Sequence, residues 1–574
     1  MNTIKNIKIL LITLLVSQYV FSQSFFEDKA IQLGIFNSWN YDVKLGGVSF
    51  FDFDNDGWDD ITTACKADRS VKFYKNVSGT FVEQNFNLTI TGHSKQVLWV
   101  DYDNDGDNDL FVTKVDGANK LYQNNGSFSF VDVTASAGFP NTGSLKTYGA
   151  AFGDIDNDGY LDVFLCNKDD SNVIPNQLYR NNGNGTFTNI SNSAGISSVG
   201  HLSFCASFFD YDKDGYQDIY ISNDRLPNKN ILYRNNGNGT FSDVSVASAT
   251  NITANAMSTT IDDYNYDGWL DIYVTNTSEG NFLLKNNGNG TFTNQAVSTG
   301  TVFNSIGWGA IFFDADNDID LDLYVSGMID NPNIGLLTSA FYECQPNYTY
   351  TIPANAGFAN DNYVSFSNAI GDIDNDGYTD FIVANQAPDN HSLWQNTGGT
   401  NNWLKVKLQG VQSNKNGIGS WIEVYANNKT MFRYTLCGEG FLSQNSGTEI
   451  FGIGNATTID YVKVKWLSGV EDIYNNVSPN QTLLVIEGTS TLSLNEDDYR
   501  NIKIYPNPST GIIYFSDVLE TTEVLVYDYL GRRIETLNID ANLNQIDLSN
   551  YAKGVYLLDI KTKTKSFSKK VILQ

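Results

Sequence analysis

The sequence predicts an all-β protein: a seven-bladed β-propeller, then a small all-β module, then a C-terminal β-sandwich. Three observations predict the propeller. A nine-residue acidic word, Asp154-Ile-Asp156-Asn-Asp158-Gly159-Tyr-Leu-Asp162, has counterparts beginning at Asp52, Asp101, Asp210, Asp263, Asp314 and Asp372, with successive starts 49, 53, 56, 53, 51 and 58 residues apart. Each word follows a run of small and aromatic residues and leads into an alternating strand such as Asp162-Val-Phe-Leu-Cys-Asn167. A second strand and a hairpin come next, as in Leu178–Phe187, Leu232–Phe241, Leu121–Phe130 and Leu283–Phe292. Asn and Gly at the hairpin tip tolerate the positive φ that such a turn requires. Four strands per unit of about 50 residues, repeated in series, are the signature of propeller blades.

The ends of the repeat predict how the ring closes. Phe26–Ile35 is similar to Phe130–Phe139, a segment that ends a blade, yet it precedes every acidic word. The seventh unit, after Leu393-Trp-Gln-Asn-Thr-Gly-Gly, runs into new sequence without a final strand. The N-terminal segment is therefore expected to supply the outer strand of blade seven, which protects a sheet edge. Blade six is expected to be irregular, because Phe341-Tyr-Glu-Cys-Gln-Pro-Asn-Tyr replaces the usual hairpin.

The acidic words point to a hard cation. Oxygens at positions 1, 3, 5 and 9 around a tight turn suit Ca²⁺, with the position 7 carbonyl and water completing the shell. Position 1 is Asp52, Asp101, Asp154, Asp210, Asp263, Asp314 and Asp372; position 3 is Asp54, Asp103, Asp156, Asp212, Asn265, Asp316 and Asp374. Position 5 is Asp56, Asp105, Asp158, Asp214, Asp267, Asp318 and Asp376; position 9 is Asp60, Asp109, Asp162, Asp218, Asp271, Asp322 and Asp380. Up to seven ions are expected. The sixth site is expected to be distorted or weaker, since Ile319 stands where the others have Gly and Gly serves the sharp turn. EF-hands fit worse, because position 12 is Thr63 in the first word and Leu165 in the third rather than a bidentate Glu.

The totals narrow the class of partner. A formal net charge of -29 over 574 residues excludes a basic nucleic-acid footprint, and seven divalent ions would offset about half of it. Cys65, Cys166, Cys205, Cys344 and Cys437 are sparse and odd in number, so buried free thiols are expected rather than a disulfide framework. Lys5 and Lys8, the apolar run Ile9–Val16 and the small residues to Ser22 describe a secretory signal peptide over 1–22, cleaved near Ser22. That run is short for a membrane span, and no later stretch is long enough.

With these residues in view, the repeats resemble FG-GAP or VCBS repeats, the calcium-loop blades also found in integrin α-subunit heads; the propeller is placed at 24–401. Trp403–Gly410, Asn416–Val424, Gly440-Phe-Leu-Ser-Gln444, Phe451-Gly-Ile-Gly454 and Val462–Gly469 resemble, in order and spacing, the ASPIC/UnbV domain of bacterial proteins and cartilage acidic protein, placed at 402–487. A polar linker is read at 488–499. From residue 500 to 574, Ile504-Tyr-Pro-Asn-Pro-Ser-Thr-Gly511, Val526–Arg532, Lys553–Asp559 and Lys569–Gln574 are similar to the C-terminal sorting domain of the type IX secretion system of Bacteroidota. That resemblance implies a β-sandwich address tag read by the secretion machinery and a location outside the cell or on the outer-membrane surface.

No Ser-His-Asp, Cys-His or zinc spacing appears. His93 and His201 are read as packing residues, and Glu439, in Gly438-Glu-Gly440, as a solvated turn. The expected function is a non-enzymatic extracellular or cell-surface scaffold for adhesion or recognition of a glycan or protein. The alternative is a polysaccharide-active hydrolase or lyase on a propeller platform, working through a carboxylate pair.

Overall fold

The computed structural model describes residues 25–36, 46–66, 70–88, 90, 92–171, 173–329, 336–490, 503–516, 522–528, 532–540, 544–561 and 566–574. The leader and nearly all of the linker lie outside them. Seven four-stranded antiparallel sheets make up the repeat region, one per acidic word. Blade three is typical, with strands Thr147–Gly153, Asp162–Asn167, Gln177–Asn181 and Phe187–Asn189. The acidic loop always joins the first two strands, and the ladder always ends on the same pair. The residue before position 1 faces the position 9 aspartate: Phe51↔Asp60, Val100↔Asp109, Gly153↔Asp162, Phe209↔Asp218, Asp262↔Asp271, Phe313↔Asp322 and Gly371↔Asp380.

Blade seven is completed from the other end of the chain. Phe26–Asp28 pairs with Ser392–Asn396 in the register Phe26↔Asn396, Glu27↔Gln395 and Asp28↔Trp394. Phe26 is buried and meets Phe313, Phe341, Phe358 and Phe381 at ring separations of 5.2–6.0 Å, so one side chain joins blades six and seven. All five cysteines are buried and unbridged. In blade six the fourth strand shrinks to Tyr350–Thr351.

Residues 402–490 form two sheets packed face to face. One holds 402–409, 448–454 and 482–486; the other runs in the order 429–434, 421–426, 459–465 and 471–477. Leu404, Val406, Ile422, Val424, Met431, Val462 and Val464 fill the space between them. From this module the segment Cys437–Ser446 enters the propeller and bonds its inner strands. Phe152 N–H donates to Cys437 O (2.8 Å), Thr259 and Gly440 exchange backbone bonds (3.0 and 2.8 Å), and Phe50 N–H donates to Gln444 O (2.9 Å). The Gln444 amide takes both the N–H (2.8 Å) and the carbonyl (2.7 Å) of Trp99, while Ser446 N–H donates to Ile370 O (2.9 Å). Phe441 packs on Phe204 and Trp308. All seven blades touch the segment, which satisfies inner-strand polar groups that would otherwise stay unpaired.

The sorting tail is a second pair of sheets, 504–505, 512–515 and 545–547 against 533–539, 522–528, 554–561 and 566–573.

Ring closure by Phe26 is testable. Phe26→Ala is expected to cost about 3–5 kcal/mol in urea unfolding, whereas Val131→Ala on the exposed outer strand of blade two is expected to cost almost nothing. Equal midpoints for the two variants would contradict the closure.

Candidate metal centre

Within each loop the position 1 carboxylate closes the turn on itself. In the third loop Asp154 Oδ1 accepts from Asp158 N–H (3.1 Å) and Oδ2 from Gly159 N–H (2.9 Å). The same pair recurs at Asp52, Asp101, Asp210, Asp263 and Asp372. Position 6 is left-handed, with φ from 82° to 98° at the glycines. In the sixth loop Ile319 holds φ 76° where the others have Gly, and Asp314 still receives both N–H bonds at 3.0 Å. A β-branched residue in this region is strained. Its side chain, 1 % exposed, belongs to the hydrophobic core of the ASPIC-like module, and that packing holds the turn that Gly supplies elsewhere.

Position 9 is fixed from two strands. Asp162 Oδ2 accepts from Ile155 N–H (2.9 Å) and Oδ1 from Asn181 N–H at the end of the third strand (2.7 Å). Asp60, Asp109, Asp218, Asp322 and Asp380 repeat this arrangement. The position 9 aspartates are buried, and desolvation pushes their carboxyls far up, to about 9 for Asp60 and Asp109. Desolvation also lifts position 1, to about 7 at Asp101, Asp154 and Asp263 and to about 6 at Asp210.

These carboxylates converge. Oxygens of Asp52, Asp54 and Asp60 lie within 4.8 Å of one another, as do those of Asp101, Asp103 and Asp109, of Asp154, Asp156 and Asp162, and of Asp210, Asp212 and Asp218. In the sixth loop the grouped acids are Asp314, Asp316 and Asp318. Position 5 is exposed in the first five loops, where position 3 is half-buried. Four buried carboxylate oxygens of the loops have no protein partner: Asp103 Oδ1, Asp156 Oδ1 and Asp212 Oδ1, all at position 3, and Asp271 Oδ2 at position 9. The amide oxygens of Asn157 and Asn317 at position 4 have none either. Buried acceptors are ordinarily met by a donor, a water or an ion, and an all-oxygen donor set of this charge fits a hard divalent cation.

One functional position was not apparent from the acidic words. The residue before the last Asn of the third strand reaches back over positions 3 and 5. Lys75 bridges Asp54 and Asp56, Arg180 bridges Asp156 and Asp158, and Arg234 bridges Asp212 and Asp214. Lys285 pairs with Asp267, Gln123 with Asp103 and Gln395 with Asp374. Blade six has Glu343 there, and desolvation, then the charge of Asp318 and last that of Glu343, holds Asp316 up at about 6. The signal was present in the recurring Tyr-Arg-Asn and Tyr-Lys-Asn words.

The loops also join blades. Asn181 Nδ2 donates to Tyr102 O of blade two (2.8 Å), Asn235 to Ile155 O (2.8 Å), Asn286 to Tyr211 O (2.9 Å), Asn396 to Ala315 O (2.7 Å) and Asn76 to Ile373 O (2.8 Å). Each acceptor sits at position 2 of the preceding blade's loop. The module rests on the same rim: Lys405 Nζ donates to Asp372 Oδ2 and Lys407 Nζ to Asp52 Oδ2, both at 2.9 Å.

Glu439 is not on a solvated turn. It lies in the inserted segment, beside Asp262, Glu449 and Arg433, around a cavity of about 60 Å³, and desolvation followed by the Asp262 charge raises it to about 7. His391 is buried and desolvation pushes its imidazole down to about 3, as suits a packed neutral ring.

A blade array with a repeated acidic clasp, a β module whose segment 437–446 enters its centre and a β-sandwich tail defines a class of modular repeat protein. The FG-GAP-like repeat family matches residues 52–112, 101–165, 154–221, 210–274 and 263–325, each match starting on a position 1 aspartate. The ASPIC and UnbV family matches 410–492 and the secretion system C-terminal sorting domain 503–574. The chain thus belongs to the FG-GAP-repeat proteins that carry an ASPIC/UnbV domain and a sorting tail. It is 34% identical to cartilage acidic protein 1 of Xenopus tropicalis over 97 residues, which are 17% of this chain and 14% of that protein. Among solved structures, the extracellular domain of BT4673 from B. thetaiotaomicron, described as a one component system, aligns with a TM-score of 0.38 and 10% identity over 96% of this chain and 73% of that one. Saccharomyces cerevisiae Sqt1 aligns with a TM-score of 0.36 and 11% identity over 61% of this chain and 95% of its own.

The raised carboxyls give a pH dependence of defined sign. Free aspartate ionises near about 3.9, whereas Asp60 and Asp109 hold their protons to about 9 in the metal-free fold. Between these values the folded state binds more protons than the unfolded state, so stability falls as pH rises. With a chelator present, the melting temperature is expected to be lower at pH 9 than at pH 5, and a saturating divalent cation is expected to remove the difference. Equal melting temperatures in chelator would refute this.

Proposed function

We propose that the chain is a secreted, calcium-stabilised recognition scaffold of the cell surface or its surroundings, without catalytic activity of its own. The observation that carries the calcium part is the set of partnerless, buried position 3 oxygens inside the acid clusters. The side chains at positions 1, 3, 5 and 9 of each loop would hold the ion. Bound Ca²⁺ would supply the positive charge that lets position 9 stay ionised while buried. Up to seven ions are proposed, the sixth site being the weakest, since that loop keeps its turn but groups Asp314, Asp316 and Asp318 without its position 9 aspartate. The sorting tail supports export by the type IX machinery, followed by release or surface attachment. Among the described residues no helix is long and apolar enough to cross a membrane.

The enzymatic alternative would need carboxylates outside the loops. Glu439 and Glu449 are such a pair, but the roughly 60 Å³ between them and Arg433 is far below the 300 Å³ or more typical of ligand pockets. A rigid ring with recognition groups on non-repeating surfaces accounts better for the arrangement.

Ca²⁺ is expected to raise the melting temperature with the logarithm of its concentration, each site adding about 2.7 kcal/mol of stability at a hundredfold excess over Kd, with Mg²⁺ much less effective. Asp162→Asn is expected to lower the calorimetric stoichiometry by one ion while the fold persists. A melting temperature indifferent to calcium would end the structural-calcium reading, and release of reducing ends from a polysaccharide would end the non-enzymatic one.

A further inference from the structure

The repeat serves as its own control, because a residue that departs from it can be set against its counterparts in the other loops. Position 4 of the loops is Asn55, Asn104, Asn157, Asn317 and Asn375, all left-handed. Four of these donate through Nδ2 to a position 6 carbonyl on the next blade: Asn104 to Gly159, Asn157 to Gly215, Asn317 to Gly377 and Asn375 to Gly57. Two loops depart from Asn: loop five has Tyr266, at φ 53°, and loop four has Lys213, at φ 59°, and neither side chain makes that bond. Lys213 Nζ lies 4.4 Å from the ring centre of Trp269 and 5.1 Å from that of Trp421. Strain and a missing clasp are tolerated where another role outweighs them.

Lys213 borders a groove of about 450 Å³ between blade four and the module, a volume in the usual range for ligand sites. The groove opens onto the outward face of the sheet built from 429–434, 421–426, 459–465 and 471–477. The inward side of strand 421–426 is Ile422, Val424 and Ala426, all buried; the outward side is Trp421, Glu423 and Tyr425, all half-buried. A face turned only to water would carry polar residues. Here Phe432 stands across from Glu423, Tyr461 across from Tyr425, and Ile473 across from Lys463. The Tyr425 and Tyr461 rings stack at 5.5 Å and 14°.

The charges on this face are already balanced. Lys213, Lys463 and Lys465 meet Asp210, Glu423 and Glu471 around the groove. Glu471 sits 3.7 Å from Lys463 and 3.6 Å from Lys465, and Tyr461 OH donates to Glu423 at 2.5 Å. A locally neutral patch on a chain of net charge -29 favours an uncharged ligand, since polyanions are repelled by the surrounding field. Trp421 and Tyr425 lie four residues apart on one side of a strand, about 13 Å, which is a track longer than a single sugar ring. Aromatic faces take the C–H surfaces of pyranose rings, and the fixed carboxylates and ammonium groups between them suit hydroxyls.

We propose that this face of the ASPIC/UnbV module, from the Lys213 groove along Trp421, Glu423 and Tyr425, binds a chain of uncharged polysaccharide. The proposal rests on the recognition reading above and gives it a site and a ligand class. To test it, the calcium-loaded full chain is titrated with soluble β-glucan and galactomannan, with alginate as the anionic comparison, by calorimetry and tryptophan emission. An uncharged glycan is expected to bind and shift the emission. Trp421→Ala and Tyr425→Ala are each expected to weaken binding at least tenfold, Trp421→Phe to restore most of it, and Val131→Ala to change nothing. Should Trp421→Ala lower the melting temperature through its contact with Lys213, Tyr425→Ala and Glu423→Gln carry the test. Undiminished affinity in the alanine variants overturns the proposal, as do binding of alginate alone, binding of none of the three, and self-association abolished by Trp421→Ala. Glycan binding that ignores these substitutions sinks this face and leaves the recognition scaffold standing. Cleavage of the glycan sinks the scaffold reading instead.

Discussion

The whole ring depends on burying one carboxylate per blade at the first residue of the second strand. Asp162 and five of its relatives receive two backbone N–H groups each, one from their own loop and one from the third strand, and Asp271 of blade five receives the third-strand N–H alone, so every blade is tied at one point. An ionised group there is costly in a low-dielectric interior. The fold answers with donors, with neighbouring carboxylates that invite a cation, and with Lys75, Arg180 or Arg234 over the outer oxygens. The Asn that supplies the second N–H also bonds the previous blade through its amide. Strand pairing, metal chemistry and blade-to-blade contact are therefore not separable in this molecule.

The module is joined to this system rather than appended to it. Its lysines reach position 1 oxygens of loops one and seven, Ile319 of loop six enters its core, and its inserted segment bonds inner strands around the ring. Two tests of the sequence reading turn on this contact. Ile319 looked like a defect in a metal loop when judged by turn chemistry alone, yet an apolar neighbour from another domain holds the turn. Glu439 looked like a solvated turn residue because Gly-rich words usually are, yet it is carried into the centre of the propeller.

Local, repeated features were legible in the sequence because each copy checks the others: the acidic words, the hairpins and the unpaired blade strand at Phe26. The family assignments followed from words such as Gly440-Phe-Leu-Ser-Gln444. What stayed hidden was tertiary and singular. Nothing in a linear reading says that Gln444 meets Trp99 across 345 residues, or that Lys213 sits between two tryptophans from different domains. The residues over positions 3 and 5 lay between these extremes, visible as repeats but without a stated purpose until the third strand was placed above the loop.

Closure by Phe26–Asp28 against Ser392–Asn396 has a consequence in time. The pairing spans 370 residues, from Phe26 to Asn396, and the inserted segment lies later still, at 437–446. A chain with such distant partners folds slowly, because loop entropy is lost before the contacts that reward it form. Blades one to six can assemble locally as they emerge, but blade seven stays open-edged until residues up to 396 are free to pair, and the inner strands wait for the segment 437–446. For an exported protein, the interval between translocation and docking is the window in which proteases and aggregation act. The last strands to arrive thus set the pace at which the molecule becomes durable.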